Sequence, residues 1–187
     1  EKGVVANGIE YELDCLIFAT GFEVGTDYTR RAGYDLRGRG GLSLKDKWAE
    51  GISTLHGLHS RGFPNCFIIS NAQSGFTVNF PHAMNEQAMH IAYIMSHCLA
   101  SNVQTVEASA AAEENWVAEI INHSRFNQSY QESCTPGYYN NEGKPNPLTI
   151  RNGSYGSGPV KFFEKLTAWR DEGTMEGLEF NGPPRSD

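Results

Sequence analysis

The feature that most constrains this chain is a short apolar run, Cys15-Leu16-Ile17-Phe18-Ala19, closed by Thr20-Gly21. A continuous run with branched and aromatic side chains predicts a strand buried on both faces, of the kind found in parallel sheets. Glycine at its end lets a ligand or another backbone approach without a Cβ in the way. In open α/β sheets, ligands bind beyond the carboxyl ends of such strands. The run continues the second arm of an expected hairpin. Val4-Val5-Ala6 leads into Asn7-Gly8, after which Ile9, Tyr11 and Leu13 alternate with Glu10, Glu12 and Asp14. Asn and Gly both tolerate the positive φ of a type I′ turn. A strand buried on both faces needs neighbours on each side, and few segments here could supply them. The sequence therefore reads as an incomplete mixed α/β domain. The opening Glu1-Lys2-Gly3, which enters at once on the hairpin, carries the same expectation of a piece of a longer polypeptide.

Residues 22 to 62 are rich in glycine and polar residues, with one short helix expected from about Ser43, its cap, to Ala49, anchored by Trp48. Phe63-Pro64-Asn65 reads as a turn, Cys66-Phe67-Ile68-Ile69 as a short buried strand, and residues 71 to 79 as a polar loop. A helix is predicted from about Pro81 to Ala100, its apolar residues wrapping most of the circumference as in a core helix. Another, from about Ser109 to His123, puts Ala112, Trp116 and Ile120 inward, with Glu113, Glu114 and Glu119 on a solvated face. Residues 124 to 158 form a long loop, a length usually associated with function or mobility. Pro159 starts a last helix with a stripe of Val160, Phe163, Leu166 and Trp169 or Arg170, stopped by Gly173.

Composition narrows the function classes. The net charge is −7 and no Lys/Arg block is present, which argues against a nucleic-acid binder. Arg30, Arg31, Arg37 and Arg39 read as a solvated loop cluster. No apolar stretch approaches the roughly 20 residues needed to cross a bilayer, and no signal-peptide pattern is present. Cys15, Cys66, Cys98 and Cys134 form no C-x-x-C pair and read as reduced core residues of a cytoplasmic protein, so the sequons at Asn127 and Asn152 carry no weight. His82, Glu86 and His90 share a helix face but not the H-E-x-x-H pattern, and no metal is expected. Ser74-Gly75 lacks the nucleophile-elbow context, and His56 and His59 read as loop residues. The glycines of residues 38–41 and 153–158 lack the strand–turn–helix setting of a phosphate cradle.

Asp14 followed by Ala19-Thr20-Gly21-Phe22 resembles the segment joining the NADP and FAD domains of class B flavoprotein monooxygenases. Other segments are similar to the Baeyer–Villiger branch in order and spacing. They are residues 44–51 (LKDKWAEG), Gly57-Leu58, residues 62–65 (GFPN) before Phe67-Ile68-Ile69, Asn79, Glu86-Gln87, residues 114–117 (ENWV), residues 143–145 (GKP) and Glu176-Gly177. The resemblance runs from about Tyr11 to Phe180. It departs at residues 51–55, where the family often has Gly-Pro-x-Thr-Tyr, and at Tyr138-Tyr139, where many members have Trp-Tyr.

The resemblance implies an enzyme that uses FAD and NADPH to insert one oxygen atom from O₂ beside a ketone carbonyl. It implies that residues 1–21 are the end of the NADP-binding domain and the linker strand. Residues 22–187 would be the C-terminal part of the FAD-binding domain of this two-dinucleotide-binding flavoprotein, with a helical C-terminal half and a mobile loop at 127–158. By the same resemblance Thr20, Gly21, Asn79 and Phe80 touch cofactor, Ser74, Gly75, Phe76 and Thr77 line the substrate pocket, and Tyr138, Tyr139 and Lys144 belong to the NADP loop. No catalytic residue is expected in this segment, because the dinucleotide fingerprints and catalytic arginine of the family lie upstream. The implied partners are a small ketone and the missing N-terminal part of the same chain, without which the segment is expected not to retain FAD. The alternatives are an N- or S-oxygenating flavin monooxygenase and a non-catalytic partner-binding module.

Overall fold

The computed structural model describes residues 2–19, 28–125, 129, 133 and 148–182. The hairpin forms as expected. Strand β1 (Gly3–Ala6) pairs antiparallel with β2 (Ile9–Glu12), Val4 opposite Tyr11, and the turn is made by Asn7 at φ 52° and Gly8 at φ 78°. The strand expected next does not form. Residues 13 to 19 run as irregular backbone, with Leu16 and Phe18 exposed and Ile17 82% exposed. The reason is the one the sequence carried. No strand among the described residues pairs with this run, and a central strand without neighbours has no ladder to join.

After helix α1 (Tyr28–Ala32) comes α2 (Leu44–Lys47), which starts where expected. Ser43 Oγ accepts the Asp46 N–H at 3.2 Å, and the Trp48 indole donates to Ser53 O and Ser60 Oγ, both at 3.2 Å. Residues 66–69 are not a strand. Cys66 N–H donates to Phe63 O and Ile68 N–H to Leu58 O, so the half-buried segment is held by turn contacts and no ladder. Of the cysteines, Cys15 is exposed and Cys66 and Cys98 are half-buried free thiols, so the core role expected for Cys15 fails. Cys134 lies outside the described residues.

Helix α3 (Phe80–Ala100) buries only a narrow stripe, Ala83, Gln87, His90 and Ile94. Met84, Met89, Met95 and Leu99 are exposed, so it is not enclosed on several sides. Among the described residues it packs on the last helix and, through Ile94 and His97, on Val106 and Phe180. Helix α4 (Ala110–Asn122), capped by Ser109, buries Trp116, Val117 and Ile120. Glu113, expected in solvent, is buried beneath the 44–62 segment; Glu119 is half-buried against Tyr155. Helix α5 (Pro159–Glu172) ends at Gly173, φ 67°, as expected, but its inner stripe is Phe162, Leu166 and Trp169. Leu166 and Trp169 are buried as expected, whereas Val160 is exposed and Phe163 lies at the margin, Phe162 taking the inner place in the first turns.

A second antiparallel pair, absent from the sequence reading, joins β3 (Thr105–Ala108) to β4 (Leu178–Asn181), Val106 opposite Phe180. It closes the helical half around two apolar clusters. One gathers Leu55, Ala108, Trp116, Ile120, Phe162 and Leu166; the other gathers Ile94, Val106, Trp169 and Met175. Burying a side chain of this size contributes on the order of 1.5–3 kcal/mol. No helix among the described residues is long and apolar enough to cross a membrane.

Candidate functional site at the start of the long helix

The loop before α3 is launched from a buried amide. Gln73 is fully buried and adopts φ 55°, a left-handed conformation that side chains other than Gly and Asn seldom take. Its Oε1 accepts from Thr54 N–H at 3.1 Å and Thr54 Oγ1–H at 2.6 Å. Its Nε2 donates to Ile52 O at 2.8 Å and Arg151 O at 2.9 Å. On the main chain, Gln73 N–H donates to Gly153 O at 2.7 Å, and its carbonyl accepts the Trp116 indole N–H at 3.1 Å. Arg151 Nε also donates to Ile52 O at 2.9 Å, and Asn152 Oδ1 accepts Ile52 N–H at 2.8 Å. No sequence pattern marks Gln73 or Arg151, and Asn152 is marked only by a sequon unrelated to this contact. Only their burial, which periodicity cannot read in a loop, would have found them.

From this anchor the chain turns outward. Ser74 is buried with its hydroxyl donating to Ser70 O, and Tyr155 N–H donates to its carbonyl at 2.9 Å. Gly75 packs so closely on α5 that a Cβ there would lie 2.7 Å from the Phe162 ring. Phe76, Thr77 and Val78 then emerge, Val78 94% exposed. Asn79 caps α3: its Oδ1 accepts His82 N–H at 3.2 Å, and its own N–H donates to Thr77 Oγ1 at 3.3 Å. Phe80, 45% exposed, meets Phe76 edge to face at 5.8 Å.

Phe76, Thr77, Asn79 and Phe80 are thus brought together at the open end of α3, while Ser74 and Gly75 lie beneath them. Thr20, Gly21, Tyr138, Tyr139 and Lys144 lie outside the described residues. The result is an apolar patch of Phe76, Val78, Phe80 and Met84 beside the positive end of a 21-residue helix. Such a surface joins exposed apolar area to the field of a helix N-terminus, which favours negative charge. Among the described residues, no glycine turn stands between a strand and a helix to cradle a pyrophosphate.

Behind the site lies a histidine group that the loop reading missed. His56, at φ 55°, and His59 are buried, and so is His90 on α3. The His56 ring stands 5.5 Å from that of His90 and 5.0 Å from Trp116, and His90 lies 4.8 Å from Trp169. Burial holds all three neutral. It pushes His59 down to about 4 and His90 to about 3, and it takes His56 well below the ordinary value. Among the described residues, no three His, Cys, Asp or Glu side chains converge as metal ligands. His82 packs on the Phe163 ring at 5.1 Å.

No protein-family model matches the chain. It is 52% identical over 179 residues to pentalenolactone D synthase of Streptomyces exfoliatus, covering 95% of this chain and 31% of that protein. It is 40% identical over 187 residues to Baeyer-Villiger monooxygenase ATR8 of Stachybotrys chlorohalonatus, covering 100% of this chain and 30% of that one. The fold matches the polycyclic ketone monooxygenase of Thermothelomyces thermophila with a TM-score of 0.82 at 33% identity, over 97% of this chain and 30% of that chain. The chain belongs to the Baeyer–Villiger monooxygenase family. It spans about 30% of the length of these relatives, matching the C-terminal portion expected from its motifs. Its mixed helices and strands fit part of an α/β flavoprotein. The cofactors expected for the full-length family fit the relatives' names. They include FAD-binding monooxygenase hmp7 of Hypomyces subiculosus, 37% identical over 96% of this chain and 30% of its own length. They also include a cyclohexanone monooxygenase from Rhodococcus sp. Phi1 bound to NADP+, with a TM-score of 0.75 at 26% identity over 97% of this chain and 33% of that one.

Proposed function

We propose that the complete protein is an FAD-dependent, NADPH-using enzyme that inserts one oxygen atom from O₂ beside the carbonyl of a small ketone. The observation that carries this reading is the apolar, positively poled start of α3, set in a chain 95% of which aligns with pentalenolactone D synthase. In this reading residues 1–21 end the NADP-binding domain and 22–187 belong to the FAD-binding domain. Thr20, Gly21 and the Asn79–Phe80 junction touch the flavin. Ser74, Gly75, Phe76 and Thr77 shape the ketone pocket, and Tyr138, Tyr139 and Lys144 serve the NADP loop.

The flavin supplies the redox chemistry when bound. What this chain adds is position and field. The N-terminal peptide dipoles of α3 stabilise negative charge beside them. The Phe76 and Phe80 rings exclude water and limit how a ketone can lie. The covering partner is the remainder of the same polypeptide, which seats on the exposed run 15–19, and the protein resides in the cytoplasm.

The experiment is expression of the complete coding sequence, with NADPH consumption and product analysis on a panel of cyclic and linear ketones beside amines and sulfides. Esters or lactones from ketones support the reading. Oxygenation of amines or sulfides alone would replace it with the N- or S-oxygenating alternative.

A further inference from the structure

We propose that Gln73 is a positioning residue that fixes the 74–79 loop and the 148–153 segment against each other. The inference rests on reading residues 74–80 as the pocket loop, and it deepens that reading by naming what holds the loop in register.

Three observations carry it. First, every hydrogen-bonding end of the Gln73 side chain is used, and none of its partners is a sequence neighbour. The carbonyl end serves Thr54; the amide end spans Ile52 and Arg151. Second, the 52–54 and 151–153 stretches that its side chain bridges are also tied directly: Ile52 O accepts from Arg151 Nε, and Ile52 N–H donates to Asn152 Oδ1, 99 and 100 positions away. Gln73 therefore closes a three-way junction of residues 52–54, 73 and 151–153, with the Trp116 indole on its main-chain carbonyl. Third, the residue holds a left-handed backbone that Gly or Asn would adopt with less strain. An Asn side chain is one carbon shorter and could not serve both sides. The strained backbone is offset by what the longer amide reaches.

The junction sits between two functional regions of the proposed enzyme. Immediately after Gln73 comes the loop leading to Phe76 and Phe80. The 148–153 segment follows the residues read as the NADP loop. A shift at Gln73 moves the pocket wall and the NADP-side segment together.

The test uses the complete enzyme carrying Gln73→Glu or Gln73→Asn. Gln73→Glu keeps an acceptor for Thr54 and removes the donors to Ile52 and Arg151. Gln73→Asn suits the backbone and loses reach. Hydrogen exchange read by peptide mass spectrometry needs no turnover. Peptides covering 74–79 and 148–153 should both exchange about tenfold faster in each variant, the factor expected when roughly one net hydrogen bond is lost. Acceleration in one segment only, or in neither, overturns the proposal.

A readout that loosened packing alone would leave still is the product ratio from an unsymmetrical ketone, taken with KM for NADPH. Both should move severalfold in Gln73→Glu, while Ile120→Val, a core-loosening control, should move neither. Parental values in a folded, flavin-loaded Gln73→Glu enzyme would also overturn it. If neither Gln73 variant folds, Asn152→Ala removes one tie from a half-buried position. It should give smaller but still paired acceleration, and unpaired exchange there rejects the proposal. An unaltered enzyme that oxygenates no ketone, with paired exchange intact, would refute the activity reading and leave the junction standing.

Discussion

Lys47 Nζ lies 2.8 Å from Glu113 Oε2, across 66 positions of sequence, and both side chains are largely withdrawn from solvent. The same carboxylate accepts the Arg61 N–H at 2.7 Å through its other oxygen. A carboxylate serving an ammonium and a main-chain donor at once pins the glycine-rich 44–62 segment onto α4. Removing it leaves a partly buried charge unpaired. Glu113→Ala should therefore destabilise the fold by about 3–5 kcal/mol. Glu113→Gln, which can still accept from Arg61, should lose less. Denaturant midpoints of the two variants, measured side by side, check the order.

The buried histidines set a pH dependence with a definite sign. His59 and His90 titrate at about 4 and about 3 in the folded chain, against 6.5 when exposed. Below pH 6.5 the unfolded chain takes up protons that the folded chain refuses. Their contribution is complete above 6.5 and is lost as pH falls toward those lower values. For His59 the full effect is on the order of 3 kcal/mol. Melting temperature should be level above neutrality and drop steadily on acidification. His59→Phe should flatten part of that slope, and an unchanged slope would remove His59 from the account.

Gly75 is fixed by contact rather than by backbone angle. An added methyl would meet the Phe162 ring at 2.7 Å, and Phe162 itself is fully buried. Gly75→Ala should lower stability by about 1–3 kcal/mol through overpacking. Because the displaced loop carries Phe76, the product ratio from two ketones should change as well. Calorimetry and chromatography on one preparation read both.

Phe80 is nearly half exposed, so its truncation opens no cavity. Phe80→Ala should lower stability by about 0.5 kcal/mol or less, as surface substitutions do. It should still alter product ratios in the complete enzyme while flavin stays bound. A large drop in melting temperature with unchanged ratios would mean that the ring docks the helix and does not shape a pocket.

The 187-residue segment by itself should behave as an open surface. Leu16, Ile17, Phe18, Val78 and Leu99 are all exposed, and apolar area of that kind drives association. Sedimentation should show concentration-dependent oligomers, and desalted protein should carry no flavin absorbance. A monodisperse yellow monomer would contradict both expectations.

Local signals in the sequence were read well because their causes are local. The Asn7-Gly8 turn, the Ser43 cap and the Gly173 stop each depend on a few neighbouring residues. Burial was read less well because it depends on what lies opposite. The Leu16–Phe18 run and the methionines of α3 are apolar enough for a core, yet nothing among the described residues covers them. Conversely Glu107, Glu113, Gln73 and His56 are buried against type, each held by partners distant in sequence or by surrounding rings. The β3–β4 pair escaped for the same reason, as two four-residue segments carry too little alternation to stand out. For the candidate site, family motifs pointed to residues 74–80, but not to the amide behind them.

The β3–β4 pair also bears on the order of assembly. Ala108 and Leu178 must find each other across a loop of about 70 residues, while α4 and α5 need only local bonds to begin. Closing a loop of that size loses chain entropy before any contact repays it. The pair should be a late event, and mutations in Val106 or Phe180 should speed unfolding more than they slow folding. The helical half would then be released from its clasp first, so that the lifetime of the native state is set at residues 178–181.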